Sequence, residues 1–141
     1  MKDCYLIDLK NAYPTSLLNT GIITNETFNY LNSISKKNKL KAIGSLATKK
    51  TIKKYNFGKL VDFKIQPRGE YSVIYFYAAL TVGEIMEKAK EIAGEDFLMY
   101  WFDGVYINKN IEKANEIKLF FESINYNSKI VELDFFKCEF L

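Results

Sequence analysis

Two aspartates, Asp8 and Asp103, lie within runs of mostly apolar and aromatic residues, "CYLIDLK" at 4–10 and "YWFDGVYI" at 100–107. Each has an ordinary explanation, because a carboxylate at a strand end is commonly solvated and Asp-Gly is a favoured turn sequence. If the fold brings the two carboxylates within ~4 Å, their repulsion at an effective dielectric near 20 is roughly 4 kcal/mol, which a divalent cation would relieve. Oxygen ligands without histidine or thiolate favour Mg²⁺ or Mn²⁺.

The residue types missing from the chain narrow its possible chemistry. It contains no histidine, which excludes hydrolytic triads and histidine-ligated zinc sites. Its two cysteines, Cys4 and Cys138, lie at opposite ends of the sequence and form no disulfide framework. Catalysis must therefore rest on carboxylates, lysines or tyrosines.

The lysines are unevenly distributed along the chain. Between Lys36 and Val61 there are nine lysines and no acidic residue, although the net charge of the whole chain is only +3. Such a segment is either a solvated, solubilising surface or a binding surface for a polyanion. Composition leaves both interpretations open.

Length and hydropathy predict one domain spanning residues 1–141, since 48% of the residues are hydrophobic. The longest apolar run, 73–82, is far shorter than the ~20 residues that span a bilayer. No export signal is visible at the N-terminus. We therefore expect a soluble protein of the reducing cytoplasm.

The hydrophobic pattern predicts a mixed order of elements. We expect a strand at 4–10, a helix ending before Gly21, a helical pair from Asn25 through a lysine-rich helix at 35–55, extended segments at 57–72, a helix at 72–93, a hairpin turning at Asp103-Gly104, a helix at 111–124 and a strand at 129–140. This order indicates an α+β fold with an antiparallel sheet covered by helices on one face. The basic helical segment could close over the other face and form a cleft.

Four segments, taken in order, resemble the conserved regions of family B DNA polymerases. "DLKNAYPTSL" at 8–17 resembles motif A, with Asp8, Tyr13, Pro14 and Thr15 matching, and "MYWFDGVYI" at 99–107 resembles motif C. "AALTVGEIMEKAKEI" at 78–92 is similar to the palm helix before motif C, and "KLKAIGSLATKK" at 39–50 is a loose likeness of motif B. In this alignment Trp101 takes the place of the first motif C aspartate.

The resemblance implies an antiparallel, palm-type (RRM-like) sheet with helices on one face and residues 25–57 as a reduced, fingers-like helical insertion. It implies that Asp8 and Asp103 are catalytic and hold Mg²⁺ or Mn²⁺, with the main-chain carbonyl of Leu9 as a further ligand. Tyr13 would lie under the incoming sugar, where its alternative role is core packing.

The same resemblance implies nucleotide and nucleic-acid contacts in the lysine-rich segment. Lys39 or Lys41 would contact the triphosphate, and the remaining lysines of that segment would contact template phosphates: Lys49, Lys50, Lys53 and Lys54.

The implied function is that of a palm and fingers module of a DNA-directed DNA polymerase, with primer-template DNA and dNTP as partners. Since no thumb or exonuclease region is visible, we expect a fragment or subunit, with a second chain supplying those parts and a phage or plasmid replication system as the setting. The alternative is a catalytically inactive palm descendant that binds nucleic acid or a replication partner. A third possibility is an unrelated α+β binding module in which Asp103 only forms a turn.

Overall fold

The computed structural model describes residues 3–47, 50–66, 69 and 71–134. The elements, in chain order, are β1 (Cys4–Leu9), α1 (Ala12–Asn19), α2 (Asn25–Ser33), α3 (Lys36–Gly44), β2 (Lys50–Asn56), β3 (Lys59–Gln66), α4 (Ser72–Ala93), β4 (Phe97–Trp101), β5 (Gly104–Asn108), α5 (Ile111–Ser123) and β6 (Ser128–Leu133).

The main sheet has four strands in the order β4-β5-β1-β6, and each neighbouring pair is antiparallel. β2 and β3 pair with each other as a separate two-stranded sheet. With the helices, this arrangement confirms the predicted α+β class. Within the described ranges, no helix is long and apolar enough to span a membrane.

The hydrophobic core lies between one face of the main sheet and helices α4 and α5. Because side chains alternate along a strand, Tyr5, Ile7 and Leu9 of β1 share one face, and all three are buried in this core. Residues from α4 and α5 complete it, among them Met86 and Phe121, both fully buried. The other face of β1 carries Leu6 and Asp8, which are only half-buried.

Helix α4 follows the predicted bounds of 72–93. Its buried residues recur at helical spacing and include three alanines, which allow close approach to the sheet: Ala78, Val82, Ile85, Met86, Ala89 and Ala93. Gly94 follows the last turn with φ 57°, a conformation that suits glycine at a helix end.

The lysine-rich segment differs from the prediction, because the expected helix at 35–55 is wrong beyond Gly44. Helix α3 ends there, a short 3-10 turn follows at Ser45–Ala47, and β2 begins at Lys50. A two-residue loop, Phe57-Gly58, joins β2 to β3 with positive φ at both residues. Within the helical insertion predicted at 25–57, α2, α3 and the 3-10 turn are helical, whereas Lys50–Asn56 form the strand β2.

Candidate active site

Asp8 lies near the end of β1, on the face of the sheet opposite the helix-covered core. It pairs in register with Gly104 of β5 and with Lys129 of β6. The central position of β1 thus places a carboxylate between two neighbouring strands, with a lysine on one side. Half-burial leaves Asp8 accessible from the free face.

Asp103 lies in the loop that joins β4 to β5. Trp101 pairs with Gly104, so the two loop residues are Phe102 and Asp103, and the expected turn at Asp103-Gly104 is wrong by one position. The main-chain carbonyl of Asp103 accepts a hydrogen bond of 2.9 Å from the N–H of Leu9. This bond ties the β4–β5 loop to the residue that follows Asp8.

Gly104 lies within β5, where close packing rather than a turn explains the glycine. A Cβ atom at this position would lie 2.7 Å from Leu6 Cδ1 and 3.5 Å from Asp8 Oδ1. A Cβ here would therefore push Leu6 away and lie in van der Waals contact with the Asp8 carboxylate.

The electrostatics show that the two acids interact. Burial raises the pKa of the Asp8 carboxyl above its ordinary value, and the nearby Asp103 carboxylate raises it further. Lys129 and Lys36 act in the opposite direction and lower the pKa of Asp8. A cation between Asp8 and Asp103 would relieve their repulsion.

The two acids border a cleft of about 610 Å³, large enough for a small ligand. Its walls come from β1, α1, α3, α4, the β4–β5 loop, β6 and the residues between β1 and α1. The residues that line it are Asp8, Leu9, Lys10, Asn11, Ala12, Tyr13, Pro14, Lys36, Lys39, Leu40, Ile43, Gly44, Tyr75, Phe102, Asp103 and Lys129. The cleft expected between the sheet and the basic helical segment is therefore present, with α3 as its basic wall.

Tyr13 lines this cleft from the first turn of α1. Its ring meets that of Tyr75 on α4 edge to face, with 5.5 Å between centroids. Burial raises the pKa of the Tyr13 phenol, and Tyr75 raises it further. The phenol is therefore neutral at physiological pH and acts as a shaped, uncharged wall.

Of the two lysines considered for triphosphate contact, Lys39 lines the cleft and Lys41 does not. Lys39 Nζ donates a 2.6 Å hydrogen bond to Asn11 Oδ1. Asn11 precedes α1 in the left-handed conformation, with φ 50°, which asparagine tolerates better than most residues. This bond connects α3 to the β1–α1 turn across the cleft.

Two of the four proposed template-binding lysines lie elsewhere. Lys53 and Lys54 are exposed on β2 and do not line the cleft. Lys49 and the side chain of Lys50 fall outside the described residues. Leu9 does line the cleft, although only 2% of the residue is exposed because its side chain points into the core.

Several cleft residues were missed by the sequence analysis, notably Lys129, Lys36 and Tyr75. Lys36 belongs to the noted lysine cluster, but nothing in its spacing distinguishes it from Lys37. Lys129 faces Asp8 only through the register of β6 with β1, a pairing that sequence alone does not reveal.

Comparisons with protein-family models, curated proteins and solved structures give no match.

The donors present suit a hard divalent cation but form a sparse site. Within the described residues, no group of three or more acidic, cysteine or histidine side chains is placed to hold a metal. Mg²⁺ is often bound by one or two carboxylates, with water and substrate phosphates completing its shell. Asp8 and Asp103, with the carbonyl of Leu9 beside them, fit a Mg²⁺ site of this kind, in which the protein supplies few ligands.

Proposed function

We propose that this chain is the palm and fingers module of a DNA polymerase and catalyses metal-dependent nucleotidyl transfer. The observation that carries the proposal is the meeting of Asp8 and Asp103 at one cleft, where the charge of Asp103 raises the pKa of Asp8. Lys36, Lys39 and Lys129 line the same cleft. Paired acids beside lysines suit a triphosphate bound with its metal ion.

The strand order supports an RRM-like palm. β1, α4, β4, β5, α5 and β6 follow the β-α-β-β-α-β arrangement if α1 is counted as an additional helix and the segment between α1 and α4 is treated as an insertion. That insertion comprises α2, α3 and the β2–β3 hairpin. In the proposed module it is the counterpart of fingers, since α3 contributes the basic wall of the cleft.

Asp8 and Asp103 would hold Mg²⁺ or Mn²⁺, with the carbonyl of Leu9 as a further ligand. Such an ion, when bound, supplies charge stabilisation to the transferring phosphoryl group. Lys39 and Lys36 neutralise the triphosphate from the α3 side. Lys129 partly offsets the negative charge of Asp8, which limits the cost of keeping that carboxylate ionised.

The first turn of α1 lines the cleft opposite α3 and supports nucleotide binding there. Ala12, Tyr13 and Pro14 line the cleft, and the N-terminus of a helix favours an anion. Tyr13, braced by Tyr75, offers a ring against which a deoxyribose can pack. The same ring would obstruct a 2′-hydroxyl and would therefore favour dNTP over ribonucleotides.

A titration with Mn²⁺, followed by electron paramagnetic resonance, tests the proposal. The wild type should bind with millimolar or better affinity, and Asp8→Asn and Asp103→Asn should each bind at least about tenfold more weakly. Asp62→Asn, which removes an exposed carboxylate from β3, is the matched control and should bind normally. Wild-type binding that Asp8→Asn leaves unchanged would contradict the proposal.

A second candidate function, a catalytically inactive palm that binds nucleic acid or a replication partner, is favoured by one residue. Trp101 stands where the first motif C acid is expected, and it is 62% exposed at the end of β4. A primer-extension assay separates the two candidates. Extension of a primer by the wild type but not by Asp8→Asn supports the enzyme, whereas metal-free nucleic-acid binding without extension supports the inactive palm.

A further inference from the structure

The β2–β3 hairpin, residues 50–66, exposes an unusual amount of apolar surface. Its apolar side chains are between 42% and 99% exposed: Ile52, Tyr55, Phe57, Leu60, Val61, Phe63 and Ile65. A two-stranded hairpin has little stability of its own, and contiguous exposed apolar surface typically marks a binding site. The hairpin therefore presents a surface suited to a partner.

One lysine, Lys53, and two aromatic rings share one face of this hairpin. Lys53 on β2 lies directly opposite Phe63 on β3, so their side chains project from the same face. Tyr55 follows Lys53 by two residues and lies on that face as well. A bulge opposite the Lys54–Tyr55 step bends the hairpin near its tip.

The tip adds a third aromatic ring in a strained position. Phe57 has φ 49° and is 99% exposed, and Gly58 beside it has φ 76°. A two-residue loop with positive φ at both positions strongly prefers Asn-Gly or Asp-Gly. Since the Phe57 ring gains almost nothing from packing, its presence at this costly position indicates a role in contacting something outside the chain.

Charge decides which partner fits. Residues 50–66 include five lysines, Lys50, Lys53, Lys54, Lys59 and Lys64, against one acid, Asp62. A second copy of the hairpin would be repelled, and lysines along strand edges oppose strand addition. A single-stranded nucleic acid carries both negative phosphates and uncovered base faces, whereas a duplex keeps its base faces stacked inside.

We infer that the β2–β3 hairpin binds single-stranded nucleic acid, with bases stacking on Tyr55, Phe57 and Phe63 and phosphates contacting the lysines. The inference rests on the proposed function for the identity of the strand, which would be the unpaired template ahead of the cleft. The binding itself needs neither a metal ion nor Asp8.

Fluorescence anisotropy with the full chain and a labelled oligothymidylate of about 20 nucleotides tests the inference, in a buffer containing a chelator. This probe exceeds the roughly 4–16 nucleotides typical of single-strand sites. Phe57→Asn, which creates Asn-Gly at the tip, should bind roughly tenfold more weakly while its melting temperature stays the same or rises. Tyr30→Ala removes an exposed aromatic ring from α2 and is the matched control, with unchanged binding expected.

The salt dependence of the affinity for the oligothymidylate separates the contribution of base stacking from that of phosphate contacts. Replacing Lys53, which shares a face with Tyr55 and Phe63, with glutamine should flatten the plot of log affinity against log salt by about 0.7. Phe57→Asn and Phe63→Ala should lower the affinity without changing that slope. Wild-type affinity in both aromatic variants, or equal competition by a duplex of the same length, would overturn the inference.

Sedimentation tests the rival occupant, a second copy of the chain. A wild-type dimer that Phe57→Asn converts to monomer would overturn the inference. The outcome is separable from that of the proposed function, since Asp8→Asn should bind the oligothymidylate normally. If the protein fails to bind Mn²⁺, the proposed function fails but this inference does not. If the aromatic variants bind the oligothymidylate normally, this inference fails but the proposed metal site does not.

Discussion

Asp8 and Gly104 lie directly opposite each other in the β1–β5 register, and Asp8 Oδ1 is 3.5 Å from the position that a Cβ of residue 104 would occupy. The absence of a side chain at residue 104 therefore keeps the space beside the carboxylate open. The loop that carries Asp103 lies against the end of β1, where the Asp103 carbonyl accepts a hydrogen bond from the Leu9 N–H.

Gly104→Ala should destabilise the protein, because the new methyl group would lie 2.7 Å from Leu6 Cδ1. The end of the Leu6 side chain can move, so we expect a loss of about 1 kcal/mol in the free energy of unfolding. Urea denaturation of the wild type and the variant measures this difference in the free energy of unfolding. Leu6→Ala in the same chain should remove most of the additional cost of Gly104→Ala.

Gly83→Ala is the matched control. Gly83 lies within α4, and a Cβ there would meet nothing within 4 Å. Alanine favours a helix over glycine, so this variant should be about 0.5–1 kcal/mol more stable than the wild type. Equal effects of the two substitutions would show that the contact at residue 104 is not the cause.

The raised pKa of Asp8 predicts how stability depends on pH. Because the folded-state pKa lies above the ordinary value of 3.8, the folded protein binds this proton more tightly than the unfolded chain. Ionisation of Asp8 therefore lowers the free energy of unfolding as pH rises from 3.8 through the raised pKa. Above the raised pKa this loss of stability is complete and no longer changes with pH.

Asp8→Asn should accordingly be more stable than the wild type at neutral pH, with the difference vanishing as pH falls toward 3.8. Thermal melts across this range provide the measurement. Mn²⁺ should shift the difference at neutral pH in favour of the wild type, because the wild type binds the ion more tightly than Asp8→Asn. A difference that does not change with pH would show that repulsion and burial at Asp8 are not the cause.

Helix α4 shows which part of the fold was predictable. Its 22 residues keep one apolar stripe and stop at a glycine, so local pattern and tertiary packing favour the same bounds. Strand β3 lies within the extended segments expected at 57–72, but β2 was missed, because Leu40, Ile43, Leu46 and Ile52 continue a helical spacing into it. The loop that joins the two strands, Phe57-Gly58, also lacks the asparagine or aspartate typical of such a turn.

The candidate site was predictable only in part. Asp8, Tyr13 and Asp103 were identified from sequence, and the structure places all three around one cleft. Lys129 was not identified, because its position opposite Asp8 depends on the pairing of two strands from opposite ends of the chain. Residue spacing within one segment carries no information about such a register.

The position of α1, and with it Tyr13, depends on a buried hydroxyl pair. Ser16 Oγ donates to the Ala12 carbonyl at 2.9 Å, so the Tyr126 hydroxyl donates to Ser16 Oγ at 2.5 Å. Tyr126→Phe removes this donor and should cost about 1 kcal/mol in unfolding free energy. Ser16→Ala should cost a similar amount, because the Tyr126 hydroxyl loses this acceptor but keeps its interaction with the side chain of Asn19.

A double-mutant cycle checks this pair in urea denaturation. The Ser16→Ala, Tyr126→Phe double variant should be less destabilised than the sum of the two single variants, because each single variant already loses the hydrogen bond that the two hydroxyls share. Additive effects would show that the two hydroxyls do not depend on each other.

Lys39 and Lys41 provide the sharpest comparison within the basic segment. Both lie on α3, but only Lys39 lines the cleft, where its ammonium group donates to Asn11. If the cleft binds a triphosphate, Lys39→Gln should weaken nucleotide binding about tenfold, since a hydrogen bond to a charged group is typically worth roughly 1.5–3 kcal/mol. Lys41→Gln removes the same charge from the same helix and should leave binding unchanged. Calorimetric titration with dNTP in the presence of Mg²⁺ measures both, and equal losses would mean that the lysines act through overall charge rather than through contact in the cleft.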